Sequence, residues 1–217
     1  MSLSKYVPGW ASFRSWLYDK IILSMTKTWY RRALEKIPAN SKVLDVGIGT
    51  GAALVKNADI IRAKNLHVTG IDIDRDYLIK CNKLIQEAAL QDRVECLHAS
   101  GTEYSGGPFD AIYFSGSFMI IPPEIRVAML RNMKTILVSK EKSRFYFTQT
   151  FQDKPNWFME KLKPWLAWLT TIDFGKVTYT SDFIECLWKA GLKHDHVQVI
   201  SKNHGGTAML FVVHVVE

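Results

Sequence analysis

The sequence predicts a doubly wound α/β fold: a mostly parallel seven-stranded sheet with helices on both faces and a C-terminal antiparallel β-hairpin. Three observations carry this expectation. Short β-type runs alternate with helical stretches between residues 42 and 150, as in consecutive βαβ units. A glycine-rich turn leads the first of these runs straight into a helix. The last two β-type runs are joined by a stretch too short for a parallel crossover, so they pair antiparallel.

Residues 1–40 read as a helical, aromatic-rich N-terminal cap, with Trp10, Phe13, Trp16 and Tyr18 beside Leu17, Ile21, Ile22, Met25, Trp29 and Leu34, ended by Pro38. The body then runs over residues 41–217. A strand at 42–46 meets the glycines, and one helix is expected over 51–64. A second strand, 66–71, ends in Asp72 and precedes a helix over 75–90. Strand 94–98 is followed by a loop containing Gly101, Gly106 and Gly107, then by strand 110–114. Pro122 and Pro123 suit the start of a helix reaching about residue 137. Strand 144–150, a helix over 181–190 ended by Gly191, and the hairpin strands 196–200 and 208–216 complete the order. Right-handed crossovers place the helices on both faces of the sheet.

Bulk composition narrows the class. Hydrophobic residues make up 47% and charged residues 23%, as in a globular domain with an ordinary core. The longest apolar runs, 21–25 and 208–213, fall far short of the ~20 residues that span a bilayer. Asp19 and Lys20 interrupt the one apolar stretch near the N-terminus, which does not read as a signal peptide, so a cytoplasmic location is expected. The three cysteines, Cys81, Cys96 and Cys186, make neither a disulfide framework nor a zinc motif and are expected as buried or half-buried thiols. The net charge of +7 would suit an anionic partner, but the basic residues form no tail or block, so nucleic acid is not the expected partner.

The sharpest feature is the run Val43-Leu44-Asp45-Val46-Gly47-Ile48-Gly49-Thr50-Gly51. A strand, a loop of alternating glycines and a helix start let a ligand approach the main chain and meet free N–H groups. Asp72, about twenty residues on, is placed to accept from both hydroxyls of a ribose. Two ligand classes use this plan. A dinucleotide would take Gly47, Gly49 and Ala52 as G-x-G-x-x-A. S-adenosylmethionine would use Asp45 for its ammonium and Gly51 as the third glycine of G-x-G-x-G. The antiparallel hairpin and the lack of room for a second catalytic domain favour the latter.

On these residues the sequence resembles the class I S-adenosylmethionine-dependent methyltransferases, over roughly residues 40–217. Val43–Gly51 and Val68–Ile73 are similar to the family's first two motifs, Arg93–Gly101 to its third and Phe109–Ser115 to its fourth. The resemblance implies cofactor contacts at Asp45, Gly47, Gly49, Gly51, Asp72, Ile73, Ser100, Gly101 and Ser115, with Tyr18 closing the pocket. At Ser100 the family usually carries an aspartate for the adenine amino group; a serine hydroxyl accepts the same bond without charge.

The branch follows from what is missing. The stretch Ile121-Pro122-Pro123-Glu124 lies too far along to be an amino-methylation tetrapeptide, and no Cys-Pro pair suits carbon methylation of pyrimidines. No carboxylate cluster suggests a catalytic metal, and His194-Asp195-His196 stands at the far end from the glycine loop. What remains resembles the small-molecule branch, including quinone and phospholipid N-methyltransferase types. That branch covers its site with an N-terminal segment and an insertion after strand five, here about 153–180 and rich in Trp157, Phe158, Trp165, Trp168 and Phe174. The insertion reads as a lid, a membrane-facing surface or a plain packed helix. A small, apolar or lipid-like acceptor is expected, with Phe118, Met119, Trp157 and Trp165 at the substrate and a peripheral membrane contact left open. Tyr18, Ser117 and His98 are the candidates for a base, if the acceptor needs one. The alternatives are an RNA or protein methyltransferase, a nicotinamide-dependent oxidoreductase and a non-catalytic subunit that keeps the cofactor fold.

Overall fold

The computed structural model describes residues 10–152, 179–203 and 206–216, with side chains for 23–152, 179–202 and 206–216. Helix α1 (Trp10–Lys36) precedes β1 (Lys42–Val46), the short helices α2 (Ala52–Val55) and α3 (Ala58–Ala63), β2 (His67–Asp72) and α4 (Arg75–Glu87). Then follow β3 (Val94–His98), β4 (Ala111–Ser115), a 3₁₀ turn (Phe118–Ile120), α5 (Pro123–Lys134), β5 (Arg144–Phe151), α6 (Thr180–Lys189), β6 (Leu192–Asn203) and β7 (Gly206–Val215).

The strands form one seven-stranded sheet in the order β3-β2-β1-β4-β5-β7-β6. The first five are parallel, and β7 runs antiparallel to both β5 and β6. The expected architecture is therefore present. Central strands covered on both faces must be apolar throughout, and Ala111–Phe114 of β4 and Phe145–Phe147 of β5 are buried without interruption. On one face Tyr30 and Leu34 of α1, Ile37 just past its end, Leu54 of α2, Ile61 of α3 and Leu78 and Ile85 of α4 pack against Val43, Val68 and Tyr113. On the other, Met129, Leu130 and Met133 of α5 and Phe183 and Leu187 of α6 pack against Ile112, Phe114 and Phe147.

Chain order outward from β1 runs to β2 and β3, then returns to β4 on the other side of β1. This reversal opens a crevice between the carboxyl ends of β1 and β4, where ligands of open α/β sheets bind.

Two expectations change in detail. The single helix over 51–64 is broken at Asn57, whose fully buried amide donates to Ala53 O at 2.9 Å and to Lys27 O at 3.0 Å. The side chain thus takes the Ala53 carbonyl that a continuing helix would use and ties the break to α1 through Lys27. Strand β6 is longer than expected because irregularities at His194/His196 and Val199/Ser201 interrupt the alternation visible in sequence. Within the first of them Asp195 lies 2.7 Å from Arg144 Nε and 2.6 Å from His214 Nδ1. No helix among the described residues is long and apolar enough to cross a membrane.

The end of α1 is tied down by Lys64, whose ammonium donates to Leu34 O at 2.8 Å, Glu35 O at 2.9 Å and also Ile37 O. A cation at a helix C-terminus satisfies orphan carbonyls and meets the negative end of the helix dipole. Lys64→Met keeps the aliphatic stem and removes the charge; we expect a loss of about 1–2 kcal/mol. A thermal melt should show a midpoint about 2–8 °C lower.

Candidate active site

The site is built around the turn from β1 to α2. Gly47, Gly49 and Gly51 all hold left-handed backbone, with φ of 77°, 58° and 66°. Two of them are also sterically required. A Cβ on Gly47 would stand 2.5 Å from Ser117 Cβ, and one on Gly51 would stand 2.5 Å from Cys81 Sγ. Gly49 meets nothing within 4 Å on that side. The loop is therefore packed at both ends and open in the middle, which is where a ligand can reach the main chain.

Main-chain and side-chain bonds fix the loop to β2. Gly47 N and Ile48 N both donate to Ile71 O, at 2.8 and 3.2 Å. Gly49 N donates to Asp72 Oδ2 at 2.8 Å, and Asp74 N donates to Asp72 Oδ1 at 2.9 Å. Asp72 thus stands at the end of β2 with both oxygens oriented and its side chain only half-buried. Gly70 gives Ile48 the room to lie across β2, since a Cβ there would be 2.3 Å from Ile48 Cδ1.

Asp45 is placed differently. It is 0% exposed, and Tyr30 Oη of α1 donates to its Oδ2 at 2.7 Å. Its Oδ1 has no partner. The carboxyl is pushed up to about 7, chiefly by burial and also by the charge of Asp72, against the lowering effect of the Tyr30 hydrogen bond. The Tyr30 phenol is held well above its usual range, first by burial and then by Asp45. A buried carboxylate oxygen without a donor, one residue from a ligand loop, suits a cationic group.

Beside the loop lies a cleft of about 240 Å³. Gly47, Asp72, Ile73, Ser100 and Gly101 line it, so the structure brings these expected residues together. Ile73 stands at the rim, 74% exposed, its carbonyl 3.1 Å from His98 Nε2. Ser100 Oγ shares a 2.7 Å bond with Thr102 Oγ1. The facing wall is Ile120, Ile121, Ile125 and Met129, which sequence reasoning missed. The prolines at 122 and 123 marked the helix start, but nothing in the pattern showed that its first turn would face the glycine loop.

Other expected residues lie elsewhere. Phe118, assigned to the substrate, is 1% exposed and packs edge-on against Phe114, Phe147 and Phe183. It is a framework side chain, placed inward by the 3₁₀ turn that follows β4. Met119 is half-buried, and its carbonyl accepts from Arg126 at 2.9 Å. Ser115 closes β4 level with Thr148 of β5, outside the cleft lining. Ser117 Oγ donates to Val46 O, which makes it a brace of the loop. The side chain of Tyr18, and Trp157 and Trp165, lie outside the described residues.

Comparison with known proteins agrees with this geometry. Residues 43–140 match the model of a methyltransferase domain family. Among solved structures, the mitomycin 7-O-methyltransferase MmcR superposes with a TM-score of 0.71 at 18% identity, covering 90% of this chain and 54% of that one. Magnesium protoporphyrin IX methyltransferase from Synechocystis PCC 6803, with bound SAH, gives 0.63 at 16% identity, covering 92% and 84%. Geranyl diphosphate C-methyltransferase from Streptomyces coelicolor A3(2) gives 0.67 at 11%, covering 89% and 77%. The chain spans about half the length of the first solved structures it matches. The family match over β1 to α5, the strand order ending in an antiparallel β7 and the three-glycine turn braced by Asp72 together fit a methyltransferase domain over residues 43–140, on a fold shared with S-adenosylmethionine-dependent methyltransferases.

Proposed function

We propose that this chain transfers the methyl group of S-adenosylmethionine to a small, apolar or lipid-like acceptor. The observation that supports this reading is the chemistry of the cleft. Among the described residues its one charged lining residue is Asp72, the wall and rim are isoleucines and Met129, and no lysine or arginine lines it. Ile120 at the rim is 59% exposed. An RNA or acidic-protein substrate would call for a basic track beside the cofactor. The convergent cations Arg131, Lys134 and Lys140 instead line a separate pocket with Val215 and Val216, at the amino end of β5. The solved neighbours are named for a mitomycin, a magnesium porphyrin and geranyl diphosphate, all small molecules.

The residues divide the work by position. The Gly49 edge of the loop and the half-buried Asp72 carboxylate face the ribose. Ile73, Ile125 and Met129 make an apolar slot for the adenine, with Ser100 at its edge. Asp45, held by Tyr30, offers its free oxygen to the ammonium of the amino-acid part. The bound cofactor supplies a sulfonium methyl with a good leaving group. The protein's part is to hold the acceptor in line with that carbon and exclude water.

Titration calorimetry with S-adenosylhomocysteine tests the cofactor assignment. We expect 1:1 binding, weakened about tenfold or more in Asp72→Ala, as for loss of hydrogen bonds to a charged group. NADH binding in place of S-adenosylhomocysteine would instead establish the oxidoreductase. A screen of amines, quinones, lipids and thiols for methyl uptake then tests the acceptor class.

Asp45 adds a proton linkage. Its raised carboxyl binds a proton below about pH 7, and a cationic partner favours the ionised form, so ligand binding must expel that proton. Affinity should climb by up to about tenfold per pH unit as pH rises towards 7, then level off. Calorimetry in buffers of different ionisation enthalpy should show proton release at pH 6, and Asp45→Asn should abolish it. A flat profile in the wild type would remove Asp45 from the ligand site.

A further inference from the structure

Sequence reading treats the three cysteines as unrelated thiols, yet the fold brings two of them together. Cys81 on α4 and Cys96 on β3 lie with their sulfurs 2.8 Å apart. Cys186 is on α6, packed against the opposite face of the sheet. The pair is asymmetric. Cys81 is fully buried, whereas β3 is an edge strand and Cys96 is partly open to solvent. Cys81 also touches the ligand loop, because its sulfur occupies the space that a Cβ on Gly51 would need. The shared S–H···S contact and burial both hold the Cys81 thiol in its protonated form.

We propose that Cys81 and Cys96 are a redox-active dithiol that a peroxide closes to a disulfide, changing the floor of the glycine loop at Gly51. Cys96 is the entry point, since the oxidant reaches the edge strand first. Its thiolate attacks the peroxide O–O bond, giving a sulfenic acid and hydroxide, which leaves as water. The Cys81 sulfur then attacks the Cys96 sulfur; the sulfenic hydroxyl departs with the Cys81 proton as a second water. Two thiols lose two electrons and two protons, and one peroxide becomes two waters. The sulfurs need only close from 2.8 Å to a bonded distance of about 2.05 Å. Little backbone movement is required for the bond itself, but Cys81 Sγ is drawn to β3 and its contact with Gly51 changes. The crosslink does not depend on the methyltransferase reading; its effect on ligand binding does.

The experiment uses the full chain, pre-reduced and then exposed to hydrogen peroxide. Thiol titration in denaturant should fall from three to one, and peptide mapping should join Cys81 to Cys96 within one chain. Dithiothreitol should restore all three. S-adenosylhomocysteine affinity of the oxidised protein should differ from that of the reduced protein by about fivefold, a typical coupling between sites. Cys96→Ser, which keeps size and a donor, should bind the ligand as the reduced wild type does and show neither crosslink nor shift. Cys186→Ser should behave as the wild type. Three surviving thiols, or disulfides that join two chains through Cys186, would overturn the dithiol. A clean Cys81–Cys96 crosslink with unchanged ligand affinity would overturn the coupling to the loop. Absence of ligand binding in the reduced protein, with the crosslink intact, would count against the cofactor assignment and leave the dithiol standing.

Discussion

The bond from Gly49 N to the Asp72 carboxylate is the join on which the site depends. It ties the open middle of the glycine loop to the end of the neighbouring strand, while Ile71 O takes the two amides before it. The loop then has no freedom to shift along the sheet without breaking three bonds to β2. Its two ends are set by packing from other elements: Ser117, beyond β4, against Gly47, and Cys81 of α4 against Gly51. A left-handed backbone at three positions within five residues is unfavourable for any chain that lacks such supports. Here β2, α4 and the turn after β4 each supply one, so the strand order itself is what makes the turn stable.

Asp45 shows the opposite strategy. Where Asp72 is half-exposed and satisfied by main-chain donors, Asp45 is sealed in and has a single donor, the phenol of Tyr30. Keeping a carboxylate there costs stability, because the charged form is desolvated and one oxygen is unpaired. That cost makes structural sense only if something cationic satisfies the oxygen in the working state. It also gives α1 a role beyond covering the sheet. Tyr30, Ala33 and Leu34 recur at helical spacing and bury one stripe of α1, which Ile37 continues just past its end, and the same stripe delivers the Tyr30 hydroxyl to Asp45. Lys64 holds the end of that helix in place, so the position of the phenol is set from α3's side of the molecule as well.

How much was legible in the sequence follows from whether the determining contact is local. The glycine turn, Asp72 and the antiparallel ending were readable, because each depends on a few consecutive residues: glycine spacing, a strand-ending carboxylate, a link too short to cross over. The helix break at Asn57 was not, since it rests on a side chain choosing the carbonyls of Ala53 and Lys27. Phe118 was placed at the substrate because it follows β4, but a 3₁₀ turn rotates it into a cluster of phenylalanines from β4, β5 and α6. The Cys81–Cys96 contact joins a helix position to a strand position 15 residues away, which no spacing rule reports. The apolar wall of Ile120 to Met129 was hidden for the same reason: its role comes from where α5 starts relative to β1, a tertiary fact.

The charge distribution completes the account of the site. The chain carries a net +7, yet among the described residues the cleft lining holds one carboxylate and no cation, with a second carboxylate sealed beneath the loop. A ligand that brings both an ammonium and a sulfonium would be repelled by lysines or arginines at this edge and is favoured by Asp72 and Asp45. The nearby guanidinium of Arg126 is turned away from that role: it lies over the Phe118 ring and donates to Ile121 O and Met119 O, propping the apolar rim from behind. The convergent cations at 131, 134 and 140 stand at the other end of β5, in a pocket separate from the cleft. Net charge is therefore a poor guide to what this cleft binds. The sorting of charge between the two ends of the sheet is the better one, and it suits a cationic cofactor.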